Sequence, residues 1–560
     1  MRRNGLRRVL AIALFVAILS AFSTQVGADS PVIIDVGSSG TASGPGWTYS
    51  GGVFTVSGDV TITGTTRENR VVVAPGANVK ITLEDVSIDR SADASKTDAA
   101  CAFNMAGATV ELTLSGENKL ESGLLRAGLQ APAGATLTIG GQGSLTAISY
   151  NKGLGIQNIG GGAGIGGGVY NNLGQNCGRI TINGGTIVAS GGHLGAGIGG
   201  GAYQTINQGQ NNGVIVINDG YVTASGGDDA AGIGGGFGFK SGDITIRGGI
   251  VIANGNGTGG FYGGAGIGGG ARGAESGAEN GSITISGGII TAKGGGSNGS
   301  YGGAGIGGGY NGSGGTITIN GGDITAIGGG ETTMYGASGI GPGSGGKGGS
   351  LTIMGGSVTA RSAFAAAINI NLSLTMPAEY MFWTNTVNSD PGGAGTEYPP
   401  TAYSASNTNR FVNILSKYSY LVTFVDWDGS VLYEQVVAPG GAATAPPDPV
   451  REGYEFVGWD KPFSNITGNL TVSAQYMKTT VDITRVKINI PVLRGETYRF
   501  EVVLNQGASK DGIIWSVSNE ALARVNGDGS VTILNSSGSV TLTARDPVSG
   551  NSDAIELWID

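Results

Sequence analysis

Histidine occurs once in this sequence, at His193, and cysteine twice, at Cys101 and Cys177. A zinc site built from His and Cys needs about four such ligands and is excluded. Prolines number 16 beside 111 glycines and no Gly-X-Y period appears, so the glycine is not that of collagen. The apolar run from Val9 to Phe22 is shorter than the ~20 residues a membrane-spanning helix needs. Basic residues are the minority, 31 against 40 acidic, and beyond the first few positions they form no cluster. Nucleic acid, which is held through its phosphates, is therefore not expected as a partner.

What is present begins with a leader. Arg2, Arg3, Arg7 and Arg8 precede the apolar run, and Val26 and Ala28 occupy the small-residue positions after it. That order reads as a secretory signal peptide over residues 1–28, with the mature chain starting at Asp29. The expectation is export to the extracellular space or cell surface, without membrane insertion. Losing the leader's four arginines leaves 27 basic residues against 40 acidic ones, a net charge of −13. Export permits disulfides, and two readings stay open: a Cys101–Cys177 bridge, or two buried thiols.

Glycine punctuates a repeat. GRITINGGTIVAS at Gly178 returns as GVIVINDGYVTAS at Gly213, GDITIRGGIVIAN at Gly242, GSITISGGIITAK at Gly281, GTITINGGDITAI at Gly315 and GSLTIMGGSVTAR at Gly349. Between copies, AGIGGG begins at Ala163, Ala196, Ala231, Ala265 and Ala304, with a degenerate ASGIGPG at Ala337. Such self-similarity marks a solenoid. Ile283 and Ile285 alternate with Thr284 and Ser286, and after Gly287-Gly288 the alternation restarts with Ile290 and Ala292. Ile306 adds a third inward position. Three short strands hinged by glycine make one rung of a parallel β-helix, roughly ten rungs stacked at ~4.8 Å. The Gly-Gly corner is expected at φ > 0, and Asp219, which replaces its first glycine, tolerates such backbone. The fold class is therefore all-β: a parallel β-helix over 29–363 with atypical early rungs in 53–150. A cap and linker follow over 364–417, and then two further modules.

Composition changes at Tyr420. Val422-Thr423-Phe424, Asp428-Gly429, Pro446, Pro449, the run GYEFVGW from Gly453 to Trp459, and Leu470-Thr471-Val472-Ser473-Ala474 carry one pattern. Across 418–477 it resembles the Listeria–Bacteroides repeat, also called the internalin B-repeat. The resemblance implies a small β-grasp-like module of extracellular bacterial proteins, with no catalytic residues. Residues 478–560 resemble a bacterial immunoglobulin-like domain of group 2. The match runs through Gly495-Glu496-Thr497, Trp515-Ser516-Val517-Ser518-Asn519, Gly527-Asp528-Gly529 and Val540-Thr541-Leu542-Thr543-Ala544. It implies an Ig-like β-sandwich with Trp515 in its core, in a surface or adhesin-like setting. Through 53–150 the solenoid resembles secreted β-helical carbohydrate-binding proteins, which implies a glycan ligand.

GAGIGG fits G-x-G-x-x-G at Gly162, Gly164 and Gly167. A dinucleotide fingerprint requires a helix after it, whereas here the match recurs in every rung. No cofactor is expected. Calcium-binding β-roll repeats need an aspartate that AGIGGG lacks. Asp228-Asp229 reads as a solvated acidic loop, with an isolated loop calcium as the alternative, and no metal is expected. Glycoside hydrolysis needs two carboxylates about 5–9.5 Å apart. In the repeat register Asp243 lies beside Val214 and Ser282, and Asp323 beside Ile289 and Ser357. Neither has an acidic neighbour, which leaves Glu275, Glu279 and Glu331 as loop acids.

Aromatics flank AGIGGG. Tyr170, Tyr203, Phe237, Phe239 and Tyr310 follow it, while Phe261, Tyr262, Tyr301 and Tyr335 precede it. Stacked rungs place these rings in columns along one edge. There they either offer exposed faces to sugar rings or pack over the loops. The functional expectation is a non-enzymatic surface or adhesion-type protein that binds a polysaccharide or cell-surface glycan. A protein of a host or neighbouring cell is the second class of partner. The rivals are a polysaccharide lyase or glycoside hydrolase on the same scaffold, and a purely structural spacer.

Overall fold

Alternating Ile and Thr give each GxITI segment one dry face, and parallel pairing extends that face from rung to rung. The computed structural model describes residues 32–38, 43–93, 100–150, 160–203, 213–257, 262–272, 280–296, 300–330, 335–369, 373–377, 380–390, 396–397, 409–416, 419–437, 439, 441–451, 454–478, 481–485, 492–504, 512–547 and 550–560. Among them no α-helix occurs. One ladder runs from Val110 through Leu137, Ile180, Ile244 and Ile317 to Leu351. A second passes through Ile182, Ile246, Ile285 and Ile353. A third, past the corner, joins Ile187, Val222, Val251, Ile290 and Ile324. The AGIG segments close the rung with Ile165, Ile198, Ile233, Ile267, Ile306 and Ile340. All are buried, each contributing about 1.5–3 kcal/mol.

The two kinds of corner differ. At Gly-Gly it is the second glycine that needs the left-handed region: Gly185, Gly220, Gly249, Gly288, Gly322 and Gly356 lie at φ 79–106°. Asp219 holds the first position and stays outside that region, so the tolerance expected of it is not called on. At AGIGG the chain folds back. The N–H of Ala163, Ala196, Ala231, Ala265 and Ala304 each donates to the carbonyl four residues on, at 2.8–3.0 Å. The second glycine of each GIG sits at φ 126–144°, where a Cβ would overlap the next rung's backbone. This fold-back brings the residues before and after AGIGGG together.

Both ends of the stack are closed. Trp47–Ser50 pairs antiparallel with Val53–Val56, and the Trp47 and Tyr49 rings pack on Phe54. At the far end Phe411–Ser416 runs antiparallel to both Ser350–Ser362 and Tyr380–Asn385, which ends the parallel edge. Cys101 and Cys177 are buried and not bridged, so the disulfide reading is set aside. Burial pushes the Cys177 thiol up to about 12, which keeps it in its unreactive protonated form.

Beyond the cap, Tyr420–Val425 pairs antiparallel with Val431–Val437 and parallel with Leu470–Lys478, and the latter pairs with Tyr454–Trp459. Val422, Phe424, Ile466 and Val472 form the core of this four-stranded module. Residues 481–560 make two sheets around a shared core that includes Phe500, Val531, Leu542 and Leu557, with Trp515 packed at its margin.

The four-stranded module rests on Gly-Gly corners of the solenoid. The Gly288 N–H donates to Thr444 Oγ1 at 2.8 Å, and the Tyr433 hydroxyl to Asp323 Oδ2 at 3.5 Å. A cavity of about 370 Å³ separates Gly321, Gly322, Gly355 and Gly356 from Gln435, Val436 and Val437. Burial raises the carboxyl of Asp323, and burial together with Asp219 raises that of Asp448. Both carboxyls resist ionising when docked. Docking is therefore strongest at acid pH and weakens as pH rises through those raised values. Small-angle scattering should find a more compact chain at acid than at neutral pH, with Asp323→Asn removing part of the difference. Compaction that grows with pH contradicts the contact.

Candidate functional site

Three residues before the alanine or serine that opens each fold-back stand His193, Asp228, Tyr262, Tyr301 and Tyr335. Their isoleucines, Ile198 to Ile340, are consecutive parallel partners, so the five residues stand at one repeat position on successive rungs, a column by count. His193 Nδ1 lies 3.1 Å from Asp228 Oδ2. Tyr262 and Tyr301 are bridged in parallel, and the Tyr301 and Tyr335 ring centroids are 4.3 Å apart.

The fold-back delivers two more groups. The Tyr310 N–H donates to the Gly263 carbonyl at 2.8 Å, and the Tyr310 ring centroid lies 4.5 Å from those of both Tyr262 and Tyr301. Arg272 sets its guanidinium 4.4 Å over the Tyr262 ring and donates from Nη2 to the Tyr262 hydroxyl at 2.6 Å. An arginine over a ring face adds about 0.5–2 kcal/mol, so Tyr262, in the middle of the column, is held in place.

Asp229 lies next to the column and is 7% exposed. The Ala271 N–H donates to its carbonyl at 2.9 Å, and its Oδ1 has no hydrogen-bond partner. Burial, and then the charge of Asp228, push its carboxyl up to about 7, while the Tyr262 backbone, His193 and Arg272 pull it back. Asp229 and Arg272 both adopt left-handed backbone, at φ 60° and 61°, a strain of about 1–3 kcal/mol that gathers where other contacts hold the chain. The expectation of a solvated acidic loop is thus corrected for Asp229, because the following rung closes over it.

The other sequence candidates divide. Tyr170 is 52% exposed and sits in its own hairpin, Val169–Tyr170 against Leu173–Gly174. Phe239 is buried against Leu194 and Ala202, with Phe237 packed on the same cluster, so these two rings cover loops. The side chain of Tyr203, and Phe261, Glu275, Glu279 and Glu331, lie outside the described residues. Asp243 pairs with Val214, and Asp323 with Ile289 and Ser357, as the repeat register requires.

One expectation about the column changes. Ring planes meet at 13° between Tyr262 and Tyr310 and at 38° between Tyr310 and Tyr301. Tyr262 and Tyr310 spend their faces on one another, Tyr335 meets Tyr301 edge-on at 64°, and the Tyr262 and Tyr301 hydroxyls are shared with Arg272 and Tyr335. Burial, and then the neighbouring Tyr335 and Tyr310, raise the Tyr301 hydroxyl, so it stays protonated, able to donate and accept. Sequence reasoning gathered rings and passed over His193 and Asp228, which the same three-residue count finds. Arg272 carries no periodic signal.

Residues 420–484 match the model of the Listeria-Bacteroides repeat domain. Residues 180–202, 215–237 and 283–310 match that of the beta helix repeat. No curated protein and no solved structure matches the chain. Beta-helix repeats occur in surface and carbohydrate-active proteins, with and without enzymatic activity.

Proposed function

We propose that the protein is exported and binds carbohydrate along the column edge of its solenoid, at or outside the cell surface, without cleaving it. One observation carries this reading: His193, Asp228, Tyr262, Tyr301 and Tyr335 share a column, with Tyr310 and Arg272 laid against it. Imidazole, carboxylate and phenol hydrogen-bond to sugar hydroxyls, and ring edges cover sugar C–H surface. A bare spacer has no use for such a gathering. The Listeria–Bacteroides module and the Ig-like resemblance of the last module suit a surface setting. A protein of a host or neighbouring cell is the second class of partner.

The rival is a glycan-cleaving enzyme, favoured by Asp229, whose carboxyl stands at about 7 beside Asp228 and His193. Hydrolysis requires two carboxylates at one glycosidic bond. Asp229 Oδ1 is buried, whereas the Asp228 side chain is 28% exposed. One reachable acid among the described residues of this site favours binding.

Sedimentation with insoluble glycans tests the assignment. Replacing Tyr301 and Tyr310 together by alanine should weaken retention roughly tenfold or more, as loss of a central anchor does. Tyr170→Ala should leave it unchanged. Equal retention of both variants removes the site from this edge. Soluble sugar released by the wild type but not by Asp228→Asn moves the reading to the enzyme.

A further inference from the structure

Resting on the reading that this edge binds glycan, the geometry points to the class of chain it takes: a neutral, extended β-(1→4)-linked polysaccharide lying parallel to the solenoid axis, with one sugar over each rung.

Solenoid and glycan repeat at nearly the same interval. His193, Asp228, Tyr262, Tyr301 and Tyr335 belong to rungs whose isoleucines pair in consecutive parallel register, and such rungs recur every ~4.8 Å along the axis. A flat, two-fold β-(1→4)-linked chain advances by nearly that rise per sugar. Alternate sugars of such a chain are turned over, so a hydrogen bond made at Tyr335 can be repeated at Tyr262, two rungs away, while Tyr301 meets the opposite edge of the sugar between them. Coiled glycans, α-(1→4)- or β-(1→3)-linked, advance less per sugar and curve away after one or two contacts. Because Tyr262 and Tyr310 cover one another's faces, the column suits a chain read through its equatorial hydroxyls rather than a single sugar laid on one ring face.

Charge selects within that class. Asp228 stands in the column and Asp229 beside it, on a chain of net charge −9. The nearby cation, Arg272, is already engaged by the Tyr262 ring and hydroxyl. A uronic-acid chain of the same extended shape meets repulsion here, whereas a neutral one offers hydroxyl donors to the Asp228 carboxylate and to the His193 imidazole.

Calorimetric titration of the full chain with cello-oligosaccharides of about two to eight sugars provides the test. Affinity should climb with length to about five sugars, one per column residue, and then level off. Removing an end of the column, by His193→Ala or Tyr335→Ala, should bring the plateau about one sugar earlier, a shift that a general loss of stability does not produce. Malto-oligosaccharides, laminari-oligosaccharides and polygalacturonate should bind at least tenfold more weakly. A preference for a coiled or acidic glycan, or an affinity indifferent to length beyond two sugars, overturns this inference and leaves glycan binding standing. Failure of every one of these glycans to bind overturns both.

Discussion

Ile285→Asp is expected to abolish the cooperative melting of the solenoid rather than merely lower its midpoint. Ile285 is fully buried and lies between Ile246 and Ile319, in an interior lined by apolar ladders. The substitution forfeits about 1.5–3 kcal/mol of burial. It also places a carboxyl where the charged form has no partner, so the group must take up a proton or draw in water, at a cost of several kcal/mol more. Whole domains are stable by only about 5–15 kcal/mol. Position aggravates the loss, because a solenoid rung is held by its two neighbours alone. Thr284→Asp, on the outward side of the same strand, is the control and should cost less than about 1 kcal/mol. Circular dichroism with limited proteolysis reads both variants. A melting curve unchanged by Ile285→Asp contradicts the inward assignment.

Gly268→Ala should produce the second largest effect, although it adds a single carbon. Gly268 sits at φ 144°, and the Gly307 carbonyl oxygen of the next rung occupies the place a Cβ would take. The backbone must leave a conformation that L-residues avoid and push the neighbouring rung aside, together costing about 2–5 kcal/mol. Because this fold-back sets Arg272 over Tyr262, glycan retention should fall further than stability does. Gly140→Ala has its nearest neighbour, the Asn183 side chain, at 4.0 Å, and should be nearly neutral. Urea denaturation separates the two. Equal midpoints would show that AGIGG has room to spare and that its glycines do not dictate the corner.

The ladders were legible because a period of two and a fixed repeat leave little freedom. Once Ile283 and Ile285 face inward, register follows, and the neighbours of Asp243 and Asp323 fall where counting puts them. The corners were less legible. AGIGGG reads as a short strand with one inward isoleucine, yet the Ala-to-Gly hydrogen bond four residues on turns it back on itself. That bond is what sets Tyr310 between Tyr262 and Tyr301 and brings Arg272 to Asp229. Exposure was misjudged for the same reason. Rings at rung spacing pack on one another, face to face for Tyr262 and Tyr310 and edge-on for Tyr301 and Tyr335, and Asp229 is covered by Tyr262 and Ala271 of the following rung. The contact of Thr444 with Gly288 left no trace in the sequence, since an interface between modules has no period to reveal it.

The account stands on glycine-hinged rungs stacking in parallel, one above the next. Thr181, Thr284 and Thr352 are outward positions of one ladder, three and five rungs apart. Spin labels at Thr181→Cys with Thr284→Cys, and at Thr181→Cys with Thr352→Cys, can be placed in a chain whose native thiols are replaced by alanine. Dipolar distances should then be about 14 Å and about 24 Å, in proportion to the rungs between them. Two similar distances, or a longer one for the nearer pair, would mean that the segments do not stack in this order, and the column of His193, Asp228 and the tyrosines would go with them.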